Sequence, residues 1–388
     1  MTLTGFSHDH YDAVIVGARC AGAATGMLLA RRGARVLIVD REPYGSDTMS
    51  THALMRGAVM QLANWGVLHN VAATGAPPVR TTGFIYGDRD PIDIEISPQH
   101  GVSALYAPRR FALDKVLVDA ARRSGAEVHH GIRCLDLLRA PDGGVAGAFL
   151  RDPGGGIHKI TAELVVGADG RNSTVAQLAG APYTKRGTHA SRCIYGYFDG
   201  LAPRGFRWHW GEGVAGVIIP TNDGQACVFL SLPQDARDAY RAALRPEGFR
   251  DAITRLMPQM ARELEGGRLV QRLTGFAGEP GYMRQACGDG WALVGDAGYF
   301  KDPITAHGIT DALRDAQILA DSWAAGRLDS YAITRDALSQ DMLRLSDTIA
   351  AFDWTLPQIA ELHQSLNLTM KANQHWIAGH LYPLAEAA

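Results

Sequence analysis

Short apolar runs alternate with helical stretches along the first part of the chain. Residues 12–16 (DAVIV) form a mostly β-branched run, the small-residue turn 17–26 (GARCAGAATG) follows, and a helix is expected to stop at Gly33. A second apolar run covers residues 34–39. Apolar runs without polar alternation are typical of strands that are buried on both faces, so this order predicts a parallel sheet covered on both sides.

The α/β pattern returns on either side of a different middle region. It predicts a helix, a set of short strands and two further buried strands, at residues 110–124, 127–166, 164–167 and 292–294. From Ile309 onward, apolar residues recur on one helical face. We therefore expect the chain to stay largely helical to about residue 380.

Residues 183–280 have aromatic alternation and turn signals, which predict an antiparallel sheet inserted into the α/β core. The two-residue period places aromatic side chains in same-face pairs, Tyr195 with Tyr197 and Trp208 with Trp210. By the same period, His209 points to the opposite face. The aromatic pairs are expected either to pack in the sheet core or to face a bound substrate.

The turn after the first strand has the small residues of a dinucleotide-binding site. Gly17, Gly22 and Gly26 permit close approach of backbone N–H groups to a pyrophosphate at the start of a helix, although Arg19 replaces the middle glycine. Asp40 follows the second strand, where an acid accepts hydrogen bonds from a ribose. We expect a dinucleotide here, with Arg19 tolerated through its backbone or directed to solvent or phosphate.

A second glycine pattern lies in the wrong context. Residues 211–216 (GEGVAG) match G-x-G-x-x-G letter for letter, but they stand between Trp210 and a β-like run with no helix behind them. A phosphate site of this kind needs the following helix. The pattern therefore predicts a hairpin loop.

Composition narrows the class of protein. The chain of 388 residues is 46% hydrophobic and 20% charged with a net charge of −2, which gives no electrostatic argument for nucleic acid. Its 5 cysteines contain no C-x-x-C pair, so we expect reduced thiols and no metal site. No apolar run approaches the roughly 20 residues of a membrane span, and residues 1–11 lack the pattern of a signal peptide. These features predict a cytoplasmic protein.

Four segments resemble, in their order along the chain, motifs of the FAD-dependent group A flavoprotein monooxygenases, the 4-hydroxybenzoate hydroxylase-like superfamily. They are residues 110–117 (RFALDKVL), 167–173 (GADGRNS), 295–296 (GD) and 302–309 (DPITAHGI). The superfamily also contains flavin halogenases and geranylgeranyl reductase-like enzymes. Asp169 and Asp296 each follow a buried strand, where an open α/β sheet binds its ligand.

The resemblance implies a fold and a cofactor. The expected α/β fold is a Rossmann-like FAD-binding domain (residues 1–75, 101–182 and 283–330), an inserted antiparallel-sheet substrate domain (76–100 and 183–282) and a C-terminal helical region (331–388). The expected FAD-binding residues are Gly17, Arg19, Gly22, Asp40, Arg41, Arg110, Cys134, Asp169, Gly170, Gly295, Asp296, Pro303, Gly308 and Ile309. A helix starting near Gly308 would place its positive end beside the flavin.

The resemblance also implies an activity. In the monooxygenases NAD(P)H, a transient co-substrate, reduces FAD, and O₂ then forms a C4a-hydroperoxide that hydroxylates an electron-rich substrate. We expect an aromatic or polyketide-like small molecule as substrate, and C-terminal helices available for a homodimer. Candidate catalytic residues are His52, His307 and Tyr195, since a histidine near the flavin can deprotonate a phenol or hold a carboxylate. Structural roles for all three remain open.

Other activities remain as alternatives. The segment 46–52 (SDTMSTH) is similar to geranylgeranyl reductase-like sequences, so a flavin reductase or dehydrogenase acting on a C=C bond is the main one. Halogenases need an early lysine and usually a W-x-W-x-I-P element, whereas this chain has no lysine before Lys115 and an interrupted element. A redox sensor, or a protein that binds NAD alone, is less favoured.

Overall fold

The structure is a computed structural model that describes residues 5–381. Its strands are β1 (His10–Val16), β2 (Val36–Asp40), β3 (Thr81–Tyr86), β4 (Ile92–Glu95), β5 (Glu127–His130), β6 (Arg133–Arg139), β7 (Val145–Arg151), β8 (Ile157–Gly167), β9 (Tyr183–Arg186), β10 (Ser191–Asp199), β11 (Phe206–Gly211), β12 (Val214–Pro220), β13 (Ala226–Pro233), β14 (Arg268–Leu269), β15 (Thr274–Phe276), β16 (Tyr282–Arg284), β17 (Cys287–Gly288), β18 (Trp291–Leu293) and β19 (Tyr299–Phe300). Its α-helices are α1 (Cys20–Arg31), α2 (Arg56–Asn64), α3 (Leu68–Ala72), α4 (Arg110–Arg123), α5 (Thr174–Leu178), α6 (Arg237–Ala243), α7 (Pro246–Leu256), α8 (Pro258–Glu263), α9 (Gly308–Ala324), α10 (Leu328–Ala350) and α11 (Leu356–Leu381).

The first sheet has a parallel core in the order β5-β2-β1-β8-β18, with β17 antiparallel at one edge. Alternate residues of β1 and β2 face opposite sides, and both sides are buried. Ile15 and Ile38 lie in the cluster that contains α1, α4 and α9. Val14 and Leu37 lie in the cluster formed with β6, β7 and α5. The predicted Rossmann-like sheet, covered on both faces, is therefore confirmed.

The second sheet has the order β14-β10-β13-β12-β11-β3-β4, with β15 also paired to β10. Its pairs are antiparallel except β11 with β3, which run parallel. The hairpin predicted for residues 211–216 is confirmed, because Gly211 pairs with Val214 across the turn. The sheet itself is also confirmed.

Three helices interrupt the region that the alternation predicted to be all sheet. Helices α6, α7 and α8 pack on the outer face of the second sheet, where Phe249 and Met260 share a buried cluster with Ile194 and Val228. The prediction missed them. The signal was present in α7, where Phe249, Ala252 and Ile253 are buried at helical spacing.

The C-terminal helices pack on helices of the first sheet's layer and also contact the second sheet. Helix α10 packs on α9, and α11 packs on both α10 and α2. The predicted helices are confirmed as far as Leu381, and residues 382–388 of the predicted C-terminal region lie outside the described residues. In the part of the chain from residue 5 to 381, no helix combines the length and the apolar character needed to cross a bilayer.

Candidate cofactor and substrate site

The turn between β1 and α1 is closed so tightly that only glycine fits. Gly17 has φ +107°, and a Cβ there would lie 2.3 Å from the carbonyl oxygen of Ala168. A Cβ on Gly22 would lie 1.8 Å from the carbonyl oxygen of Gly17. The N-cap residue Arg19 gives the first turn of α1 no side-chain hydrogen bond. The turn thus lets a pyrophosphate come close to the backbone, at a helix start that no side chain caps.

The backbone of Arg19 accommodates the turn in an ordinary extended conformation (φ −85°, ψ −166°), as the first of the two alternatives predicted, and its side chain bonds to neighbouring protein groups. Its guanidinium donates to Asp114 Oδ2 at 3.1 Å and to the carbonyl oxygen of Ser46 at 3.2 Å. Asp114 also accepts from Arg110 Nε and Nη2, at 3.1 and 3.2 Å, and from the Cys20 thiol. The R-x-x-x-D spacing therefore joins the starts of α1 and α4 through one buried carboxylate shared by two arginines.

Asp40 stabilises the same turn through hydrogen bonds to its carboxylate. Its Oδ2 accepts the backbone N–H of Ala18 at 2.7 Å, and its Oδ1 accepts that of Glu42 at 2.8 Å. The ribose contact predicted for Asp40 stays a prediction. Two other residues predicted to bind the cofactor are less buried than Asp40. Arg41 is exposed beside Glu42. Cys134 is half-buried, and burial raises the pKa of its thiol to about 12.

Asp169 and Gly170 follow β8, beside the glycine turn. Asp169 accepts hydrogen bonds from the Ser173 hydroxyl at 2.5 Å and the Thr174 backbone N–H at 2.6 Å, so it caps α5. Burial raises the pKa of Asp169. Gly170 has φ +79°, which favours glycine. The structure thus gives Asp169 a helix-capping role, and its predicted contact with FAD stays a prediction.

Asp296 follows β18 and differs from Asp40 and Asp169 in its hydrogen bonding. Among residues 5–381, no donor hydrogen-bonds to its carboxylate. Burial raises the pKa of Asp296, while the charges of Lys301, Arg171 and Arg110 act in the opposite direction. A carboxylate that lies near cations and accepts no hydrogen bond from the protein is suited to accept hydrogen bonds from the hydroxyl groups of a ligand. This carboxylate and the glycine turn fit a bound FAD.

The proline loop joins the two sheets. Asp302 accepts the backbone N–H and the hydroxyl of Ser191, both at 2.6 Å, and the N–H of Ile304 at 2.9 Å. Burial raises the pKa of Asp302 to about 6. Pro303 then opens a short turn that leads to the start of α9, a 17-residue helix. The positive end of α9 favours negative charge just beyond the loop.

His307 is the N-cap residue of α9 and belongs to a buried ionic cluster. Its Nδ1–H donates to Asp311 Oδ1 at 3.0 Å, and Asp311 also pairs with Lys301 and with Arg314 at 3.3 Å. Burial lowers the pKa of His307, although Asp311 opposes that shift. Burial alone would raise the pKa of Asp311, but Lys301 and Arg314 hold it well below its usual range. His307 is therefore a neutral imidazole held in one orientation.

Gly308 gives a test of where the cofactor lies. It is exposed at the start of a largely buried helix, and a Cβ there would meet no protein atom within 4 Å. We expect Gly308→Ala to weaken FAD binding at least tenfold because the added methyl group enters the cofactor's space. The free energy of unfolding of the apoprotein should change by less than about 1 kcal/mol. Fluorescence titration with FAD and urea unfolding measure the two quantities.

Gly379→Ala is the matched control for this change. Gly379 lies in α11, is exposed, and likewise has open space at its Cβ position. FAD affinity should be unchanged in this variant. Equal FAD affinity in Gly308→Ala and Gly379→Ala would place the flavin away from the start of α9.

The inner face of the second sheet forms three cross-strand rows that we call the inner wall. By register, the rows are Cys193-Ser231-Ala215-Trp210-Tyr86, Tyr195-Phe229-Val217-Trp208-Phe84 and Tyr197-Cys227-Ile219. The apolar members belong to, or pack against, the buried cluster that contains Ile304 and Ile309 of the proline loop and α9. The inner wall therefore faces the predicted flavin region. His209, as predicted, faces away, with Nε2 3.6 Å from Glu263.

His52 lies against one corner of the inner wall. Its Nε2 shares a hydrogen bond of 2.6 Å with the Tyr197 hydroxyl, while the buried Nδ1 has no partner among the described residues. Burial, followed by the Arg110 charge, lowers the pKa of His52 to about 3. Arg110 also acts on the pKa of Asp296, so one guanidinium links His52 to the predicted cofactor residues.

Sequence reasoning missed Arg109 and Asp47 in this corner. Arg109 stacks on the Tyr197 ring at 3.6 Å and donates to Asp47 Oδ2 at 2.6 Å. Tyr197 shares the face of Tyr195, as predicted, but its contact with His52 was not predicted. Tyr195 itself stacks on Phe229, and burial raises the pKa of its hydroxyl to about 12.

The depressed pKa of His52 predicts acid sensitivity. The unfolded chain binds a proton at this residue below pH 6.5, whereas the folded chain resists it until about pH 3, so stability falls as pH falls through this window. We expect His52 to account for about 2 kcal/mol of lost stability between pH 7 and 5. The variant His52→Asn tolerates the positive φ of 61° and removes the titration. Urea unfolding of both proteins at several pH values measures the difference, and parallel pH curves would contradict it.

Comparisons with known proteins agree with this geometry. A family model described as an FAD binding domain matches residues 10–346, so the chain belongs to this family. The protein is an FAD-dependent oxidoreductase of the superfamily that includes monooxygenases, halogenases and geranylgeranyl reductases.

Two curated relatives carry different activities in their names. The 6-methylpretetramide 4-monooxygenase of Streptomyces rimosus is 28% identical over 79% of this chain and 73% of its own. Digeranylgeranylglycerophospholipid reductase 2 of Methanothermobacter thermautotrophicus is 25% identical over 84% of this chain and 82% of its own.

Solved structures share the fold. A flavin-dependent brominase superposes with a TM-score of 0.78 at 19% identity, covering 94% of both chains. A probable FAD-dependent monooxygenase from Pseudomonas aeruginosa gives a TM-score of 0.74 at 20% identity, covering 92% of this chain and 100% of the other.

Proposed function

We propose that this protein is a monooxygenase that uses NAD(P)H and O₂ to hydroxylate an aromatic or polyketide-like small molecule. The substrate would bind between FAD and a substrate domain formed by residues 76–100 and 183–282. The inner wall is the observation that carries this proposal. It combines stacked rings with hydroxyl, imidazole and indole groups at their edges, which suits planar rings with polar substituents.

The size of the inner wall supports a fused-ring substrate. Five neighbouring strands contribute to it, so it extends about 19 Å across the strands and about 13 Å along them. Long isoprenoid chains need no rows of polar ring edges, whereas hydroxylated polycyclic molecules can pair with them. The relative named as a 6-methylpretetramide monooxygenase adds support from sequence.

The residues of this chain would hold FAD at three places. Gly17 and Gly22 admit the pyrophosphate to the start of α1, and Asp296 accepts hydroxyl groups of the sugar chain. The start of α9, at Gly308, stabilises negative charge on the flavin edge. When bound and reduced, FAD supplies the electrons that activate O₂.

His52, His307 and Tyr195 are proposed to orient the substrate while uncharged. Burial lowers the pKa of both imidazoles and raises that of the Tyr195 hydroxyl, so each is a neutral hydrogen-bonding group near pH 7. Neutral groups bind a phenol or carbonyl without adding a buried charge. The enclosed inner wall excludes water from the reacting ring.

Isotope labelling tests the reaction. The FAD-loaded protein is incubated with NADH or NADPH under ¹⁸O₂ and a panel of phenols, naphthols and hydroxyanthraquinones, and products are analysed by mass spectrometry. One ¹⁸O atom in a product, formed only with a reduced nicotinamide present, supports the monooxygenase. NAD(P)H oxidation that yields hydrogen peroxide alone with every compound contradicts it.

A flavin reductase acting on a C=C bond is the second candidate. The observation in its favour is the archaeal reductase, which is similar to this chain over most of both sequences. A geranylgeranyl lipid is offered without O₂ to protein reduced by dithionite. A gain of two mass units for each saturated bond would favour the reductase, and an unchanged lipid would remove it.

A further inference from the structure

Trp210 differs in its hydrogen bonding from three of the four other buried tryptophans. The indole N–H groups of Trp65, Trp208 and Trp354 donate to Gln317 Oε1, Thr82 Oγ1 and the carbonyl oxygen of Ile349, at 2.9, 3.0 and 2.8 Å. Trp210 is 4% exposed, yet its Nε1–H has no acceptor within residues 5–381. Buried indole N–H groups usually have a partner, so this one is available to a ligand.

Trp210 lies at the end of the inner wall that the C-terminal helix covers. The His363 ring from α11 lies 4.3 Å from the Trp210 ring, centroid to centroid, and its Nδ1 shares a hydrogen bond of 2.7 Å with the Tyr86 hydroxyl. Trp354 packs edge-on against Trp210 at 5.9 Å. The indole is therefore fixed among aromatic groups rather than free to rotate toward solvent.

We propose that Trp210, Tyr86 and His363 form a substrate subsite that binds a neutral acceptor oxygen, the carbonyl of a planar aromatic ketone. This inference rests on the proposed function, because it assumes that the inner wall binds the ring. The Trp210 N–H donates to the carbonyl oxygen, and the rings of Trp354 and His363 limit where the ligand edge can lie. The C-terminal helix thereby takes part in substrate choice.

The chemistry of the subsite favours a ketone over a carboxylate. Burial lowers the pKa of His363 to about 4, so the imidazole is uncharged near neutral pH. Burial raises the pKa of the Tyr86 hydroxyl to about 12, so it is also uncharged. A carboxylate placed among Trp210, Tyr86, His363 and Trp354 would be desolvated without a cation from any of them, which is costly. A carbonyl oxygen needs only the donor that Trp210 provides.

A matched pair of probes tests the subsite. The molecules 9-fluorenone and fluorene are rigid, planar and nearly equal in shape, and they differ in one carbonyl group. Equilibrium dialysis with the FAD-loaded protein gives the dissociation constant of each. We expect Trp210→Phe to weaken fluorenone binding about fivefold more than fluorene binding, because both probes lose the same ring contact and only fluorenone loses the N–H donor.

Trp208→Phe is the matched control. Trp208 lies on the same strand and the same face, but its N–H already donates to Thr82. Its replacement should alter the binding of both probes by the same factor. If Trp210→Phe also changes both probes equally, or changes neither, the subsite is overturned. If the wild-type protein binds neither probe, both the inner wall as a substrate site and the subsite are overturned.

A spectroscopic measurement keeps the test independent of the variant's folding. The chain has 7 tryptophans, so the ¹⁵N-labelled wild-type protein has few indole signals to follow. One indole proton should shift downfield with fluorenone and stay in place with fluorene. Indole protons that respond alike to both probes would overturn the subsite, even if Trp210→Phe cannot be purified.

Discussion

Replacing Asp311 by asparagine should lower the free energy of unfolding by about 3–5 kcal/mol, because it removes one partner of a buried ionic cluster. Lys301, Asp311 and Arg314 are each at most 4% exposed at the side chain. Arg314 keeps Asp315 at 2.7 Å, but Lys301 loses its partner. Urea unfolding of the apoprotein measures the loss.

Asp341→Asn is the control for this prediction. Asp341 lies in α10 and pairs with Arg344 at 3.3 Å, but its side chain is 63% exposed. Exposed pairs contribute little, so the free energy of unfolding should change by less than about 0.5 kcal/mol. Similar losses of unfolding free energy in the two variants would mean that the burial of the Asp311 cluster does not increase its contribution to stability.

Replacing Gly22 by alanine should abolish FAD binding as purified. The new Cβ would lie 1.8 Å from the carbonyl oxygen of Gly17, a backbone atom that cannot move without opening the turn. We expect at least a tenfold drop in flavin content and a loss of about 1–3 kcal/mol in unfolding free energy. The ratio of absorbance at the flavin and protein bands measures the flavin content.

Gly26 was predicted to belong to the dinucleotide turn, but it lies inside α1 and packs on Ile38, so Gly26→Ala separates cofactor loss from general destabilisation. A Cβ on Gly26 would come within 2.3 Å of Ile38 Cδ1, the movable end of a side chain in the same core. Stability should fall by a similar amount, but FAD should be retained. Loss of FAD from both variants in proportion to their stability would deny the turn its role as the pyrophosphate site.

The parts of the fold set by local patterns could be predicted from the sequence. Buried strands such as β1 and β2 have continuous apolar runs, and the glycine turn has a composition that few other structures require. The hairpin at residues 211–216 could also be predicted, because a β-like apolar run, and no helix, follows the glycines. Each of these features depends on neighbours close in sequence.

The features that could not be predicted depend on residues distant in sequence. Arg19 pairs with Asp114, 95 residues away, so nothing near the turn indicates where its side chain goes. His52 meets Tyr197, 145 residues away, and this long-range contact places it against the inner wall. Asp311 was a missed opportunity, since it stands one helical turn after His307 and faces the same side.

The hydrogen bonds of Asp302 have a mechanical consequence. One carboxylate holds both the turn that leads into α9 and the first residue of β10. If the second sheet tilted when an aromatic substrate entered, the proline loop beside the flavin would therefore move with it. Substrate binding at the inner wall and the electron affinity of the flavin would then be coupled through the side chain of Asp302.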